Sequence, residues 1–99
     1  MWYVIIGNDA PGALGIRRRV RALHLERIAV LSDAGRVAIA GPCPATDSPE
    51  PGEAGFTGSV VIAEFESLQA AQAWVAGDPY VTEGVFASYE VRPFIQVLP

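Results

Sequence analysis

The chain has 99 residues and a formal charge of −4; all 7 of its cationic residues are arginine and 11 residues are acidic. An acidic chain with no basic stretch beyond Arg17-Arg18-Arg19-x-Arg21 is a poor nucleic-acid binder or membrane-surface binder. With Cys43 as its one cysteine and His24 as its one histidine, it can form neither an internal disulfide nor a usual zinc site, so no metal site of that kind is expected.

The length predicts one domain over residues 1–99. Hydrophobic residues make up 51% of the chain and charged ones 18%, against about 25% charged in an average soluble domain. A domain of this size buries only about 60–65% of its unfolded surface. There is more apolar material here than one thin core hides, which points to self-association.

Trp2 to Gly7 is β-branched and aromatic and reads as a strand. No basic residue precedes this apolar run, and no run approaches the roughly 20 residues that span a bilayer. Neither a signal peptide nor a membrane segment is therefore expected, and the expected compartment is the cytoplasm. Asn8 to Gly15, with Pro11 and Gly12, reads as a loop.

Ile16 to Ala34 is the best helix. Ile16, Val20, Leu23, Ile28 and Leu31 recur at helical spacing, and Gly35 stands where a C′ glycine belongs. Val37 to Gly41 reads as a short strand. Gly41 to Gly58 holds four prolines and reads as one long loop, a length that is uncommon unless functional. Ser59 to Phe65 is a strand, Leu68 to Ala76 a helix capped by Ser67, and Phe86 to Val97 a last strand weakened by Pro93. Trp74 belongs to the inward stripe of the second helix.

The order β-α-β-β-α-β is ferredoxin-like, an α+β fold with a four-stranded antiparallel sheet. Trp2, Val4 and Ile6 oppose Tyr3 and Ile5, and Val61, Ala63 and Phe65 oppose Val60 and Ile62. Both sheet faces are apolar, yet two helices cover only one. A second copy packed sheet against sheet is the expected cover, giving a homodimer.

His24 falls inside the apolar helical stripe, between Val20 and Ile28. It reads either as a satisfied core histidine or as a functional imidazole. Arg17 and Arg21, seven and three residues before it, line the same flank; they read either as a site for an anionic group or as a solvated basic turn. Asp78-Pro79 has the form of an N-cap followed by proline at N1. The competing reading makes Asp78 the partner of His24, fixing its tautomer and freeing the other nitrogen as a base. Gly55-Phe56-Thr57-Gly58-Ser59 reads as a turn; without a Gly-Lys-Ser/Thr ending before a helix it is no phosphate loop. Cys43 lacks a histidine of its own for a papain-like pairing.

Arg21-x-x-His24-Leu25, Ala40-Gly41-Pro42, Gly55-Phe56-Thr57-Gly58-Ser59, Ala70-Ala71-Gln72-Ala73-Trp74, Asp78-Pro79-Tyr80 and Pro93-Phe94 together resemble the YCII-related (YciI-like) family over nearly the whole chain. The resemblance implies the dimeric α/β-barrel fold and a His–Asp dyad at His24 and Asp78. It implies cofactor-free chemistry on a small cyclic or aromatic acid or phenol: isomerisation, dehydrochlorination or another elimination, or hydrolase-like proton transfer. Arg21, Ser59 and Tyr80 are then the expected substrate contacts. The alternative is a non-catalytic dimer that binds a small molecule or serves as a partner domain.

Overall fold

The computed structural model describes residues 1–99. Strand β1 (Trp2–Asp9) leads through a turn to helix α1 (Leu14–Asp33). Strand β2 (Val37–Pro44), a 3-10 turn at Gly52–Ala54 and strand β3 (Phe56–Glu64) follow. Helix α2 (Leu68–Ala76), the one-turn helix α3 (Pro79–Thr82) and strand β4 (Phe86–Phe94) complete the chain. The sheet order is β2-β3-β1-β4, with every neighbouring pair antiparallel, which is the ferredoxin-like arrangement. No helix is long and apolar enough to cross a membrane.

Local chemistry sets the helix ends. After α1, the Arg36 N–H donates to the Leu31 carbonyl and the Gly35 N–H to the Ser32 carbonyl, with Gly35 at φ +72°. This is a Schellman closure, and it needs the positive φ that glycine tolerates. At α2 the Ser67 hydroxyl accepts from the Ala70 N–H at 3.0 Å, as its N-cap position predicts.

The register assigns the two sheet faces. Tyr3 pairs with Ala63 and Ile5 with Val61. These four face the helices and form the core with Ile28, Leu31, Phe65, Ala71 and Val75. Burying each large aliphatic side chain stabilises the fold by about 1.5–3 kcal/mol. A smaller cluster of Ala13, Val20, Tyr80 and Val85 joins the first half of α1 to α3. On the far face Val4 pairs with Ile62 and Ile6 with Val60, all half-buried.

Four sequence expectations need correction. Leu23 lies 56% exposed; the buried stripe of α1 is Arg17, Val20, His24, Ile28 and Leu31. The 41–58 segment is not one loop. β2 runs on to Pro44 because it is an edge strand, where proline need not donate to a neighbour. β3 begins at Phe56, so the glycine-rich stretch is mostly strand, with only Gly55 at positive φ. The last strand ends at Phe94, not Val97.

Candidate active site

His24 sits on the buried stripe of α1 and is 7% exposed. Its Nδ1 lies 2.8 Å from Asp78 Oδ1. That same oxygen accepts the Tyr80 N–H at 2.9 Å, while Oδ2 accepts Arg27 Nη1 at 2.9 Å. The two sequence readings of Asp78 are therefore compatible: its carboxylate caps α3 and holds His24 at once. A carboxylate already taking two other donors is an acceptor, so in the neutral imidazole the hydrogen resides on Nδ1 and Nε2 is the bare nitrogen. Nε2 makes no hydrogen bond to the protein and is not sealed from solvent.

Burial pushes the Asp78 carboxyl up. The His24 hydrogen bond, the Tyr80 amide, the charge of a protonated His24 and Arg27 outweigh burial and leave its pKa below the ordinary 3.8. Asp78 is thus ionised throughout the neutral range. For Tyr80, burial pushes the phenol above its ordinary 10.0, although Arg17 and Arg21 pull it down; the neighbouring Asp78 charge adds to the rise. Tyr80 is a neutral hydroxyl at working pH.

A second polar cluster adjoins this pair. Arg17, 4% exposed, grips Asp9 through Nε and Nη2 at 3.0 and 2.8 Å. Nη2 also donates to the Gly58 carbonyl at 3.1 Å and Ser59 Oγ at 3.0 Å. The guanidinium carbon lies 4.8 Å from the Tyr80 ring centroid and 5.0 Å from that of Phe56. The solvated-turn reading of Arg17 is therefore wrong, because Asp9 at the end of β1 neutralises it in the interior.

A cavity of about 250 Å³ opens between α1 and the β2–β3 edge. Arg17, Arg21, His24, Ser59 and Tyr80 all line it, over an apolar floor that includes Ile28 and Val61. The five candidates from sequence are thus brought to one place: four on this wall, with Asp78 directly behind His24. Arg21 stands exposed at the cavity with neither ion pair nor hydrogen bond. No three His, Cys, Asp or Glu side chains converge as metal ligands, and Cys43, on β2, is absent from the cavity wall.

Sequence reasoning missed Arg27, Asp9 and Phe56. Arg27 had a usable signal: it follows His24 by three residues and shares its helical flank. Asp9 had none, since only the fold brings the end of β1 against α1.

The sequence profile of the YCII-related domain matches residues 1–95. The chain belongs to the YCII-related family. Among YCII-related relatives, Protein YciI of Escherichia coli O6:H1 is 56% identical over 97 residues, covering 98% of this chain and 99% of the relative. An uncharacterised Haemophilus influenzae protein is 53% identical over the same shares. Among solved structures, the fold resembles 5-chloro-2-hydroxyhydroquinone dehydrochlorinase (TftG) of Burkholderia phenoliruptrix AC1100, in complex with 2,5-dihydroxybenzoquinone. The two superpose with a TM-score of 0.84 at 28% identity, covering 96% of this chain and 94% of the other.

Proposed function

We propose that this YCII-related protein is a cofactor-free enzyme that moves a proton on a small cyclic or aromatic acid or phenol. His24 is the general base or acid and Asp78 its orienting partner. One observation carries the reading: a single imidazole has Nδ1 committed to a buried carboxylate and Nε2 open to a cavity of about 250 Å³. General acid–base groups placed this way contribute about 100- to 10,000-fold in rate.

The cavity is smaller than the roughly 300–1,000 Å³ of pockets that hold drug-sized ligands, which favours a one-ring substrate. The apolar floor suits the ring, while Arg21, Ser59 and Tyr80 supply contacts for its oxygens. In the step itself, Nε2 takes a proton from the substrate and the bonding pair moves into the conjugated ring. The pair then either expels a leaving group, as in dehydrochlorination, or takes the proton back at another carbon, as in isomerisation. The likeness to a dehydrochlorinase supports the elimination branch; hydrolase-like transfer to water uses the same base.

The working unit in this reading is a homodimer joined through the sheet faces. Its support is the apolar row of Trp2, Val4, Ile6, Val60 and Ile62 on the face that no helix covers.

The test is turnover. Lactones, quinols and halogenated phenols are incubated with the protein and followed by proton NMR. The reading expects one class to be consumed, and His24→Ala to stop consumption by at least about 100-fold while binding persists. A ligand that binds and returns unchanged from the wild type would overturn it in favour of a non-catalytic binding dimer.

A further inference from the structure

We infer that Arg17 and Ser59 form the corner of the cavity that holds a negatively charged oxygen of the substrate, a phenolate or enolate, while His24 Nε2 takes the proton. The inference rests on the proton-transfer reading above and names the chemistry of the ligand.

Arg17 spends only part of its donor capacity inside the protein. Nε and Nη2 serve Asp9, Gly58 and Ser59. Nη1 makes no hydrogen bond to the protein within ordinary geometric limits, although the guanidinium lies close enough to the Tyr80 hydroxyl to favour its ionised form. No polar side-chain atom of the chain is both sealed and unpartnered. Nη1 of this buried residue therefore faces open space, and the open space Arg17 borders is the cavity. Ser59 is in a matching state. Its Oγ accepts from Arg17 and donates to no protein acceptor, so its O–H is free for a ligand. Both residues line the wall that also carries His24.

The Asp9 grip makes this corner rigid. A bidentate pair locks the guanidinium plane, so the donors need no rearrangement when charge develops, and one such donor is worth about 100- to 1,000-fold in rate. Asp9 also cancels the resting charge of Arg17. Arg21, free of any acidic partner, leaves the cavity mouth net positive. The proton balance follows: a C–H or O–H bond breaks, the proton goes to Nε2, and the electron pair settles on the oxygen held by Arg17 and Ser59.

The experiment uses three probes: acetate; 2,5-dihydroxybenzoquinone, which is anionic at neutral pH; and hydroquinone, a neutral ring of similar size. The proteins are the wild type, Ser59→Ala and Arg17→Lys, the last keeping a cation beside Asp9. The side-chain Nε–H resonance of Arg17 is followed by NMR, identified by its loss in Arg17→Lys. Acetate and the quinone should shift it, and each variant should weaken quinone binding by about tenfold or more, leaving hydroquinone within about twofold. If the quinone binds but neither shifts Arg17 nor distinguishes the variants, the donor corner is overturned and proton transfer by His24 stands. Equal weakening of the anionic and neutral rings also overturns it, since that reports lost shape alone. If acetate shifts Arg17 but no ring compound binds, the ring-substrate reading falls and the donor corner stands.

Discussion

The ring of His24 lies flat on the ring of Tyr80, their centroids 3.7 Å apart and their planes 7° from parallel. Tyr80 begins one residue into α3, so the cap made by Asp78 also places the surface on which His24 rests. Tyr80→Ala is expected to lower stability by about 3–5 kcal/mol, as for other large aromatic truncations in a core. Tyr80→Phe keeps the ring and should cost about 1 kcal/mol or less. Denaturant melts of the two variants check this.

In the neutral form of His24, nitrogen-15 NMR should show the hydrogen on Nδ1 and a bare Nε2. Asp78→Asn is expected to abolish that preference, because the amide offers a single acceptor where the carboxylate serves His24, the Tyr80 amide and Arg27. An unchanged tautomer in the variant would show that Asp78 does not set it.

The Asp9–Arg17 pair is buried on both sides. Removing one member strands a charge, so Asp9→Ala should cost about 3–5 kcal/mol. The double variant Asp9→Leu with Arg17→Met should recover much of that loss, because it removes both charges. A double-mutant cycle in urea measures the coupling.

Acid and alkali should each expose one buried group. The Asp78 pKa is lower folded than unfolded, so its stabilising contribution is complete above the ordinary 3.8 and is lost as pH falls below it. Tyr80 has the opposite shift. Its contribution is complete below the ordinary 10.0 and is lost as pH rises past that value, because the unfolded phenol ionises first. Thermal melts across pH should fall at both ends. Asp78→Asn should flatten the acid limb and Tyr80→Phe the alkaline one.

Gly58 stands where β3 passes the Gly7 carbonyl so closely that an added Cβ would strike backbone. Backbone cannot swing aside as a side chain can, so Gly58→Ala should cost about 1–3 kcal/mol. Gly41, with open space around it, serves as the control and should tolerate alanine far better.

What was legible in the sequence was what local chemistry writes. Ser67 and Asp78 advertise their caps within three residues of themselves, and Gly35 marks the Schellman closure. Alternation along Trp2–Gly7 named both sheet faces before any register was known. His24 stood out because a polar ring interrupted an apolar stripe. Arg17 stands on that same stripe, yet its partner Asp9 falls in the 8–15 stretch that reads as a loop, so nothing local pairs the two. The glycine-rich stretch at 55–59 misled for a different reason. Glycine signals either a turn or a close approach of two strands, and only the packing of Gly58 against Gly7 decides between them.

Prolines mark both margins of the sheet: Pro42 and Pro44 on β2, and Pro93 on β4. A proline has no N–H to offer an incoming strand, so neither margin presents an unbroken ladder for templated growth. An apolar chain of this kind would otherwise be a candidate for fibre formation. With both margins blunted, the homodimer proposed above, joined through the sheet faces, would consume the sticky surface and stop at a closed, finite assembly.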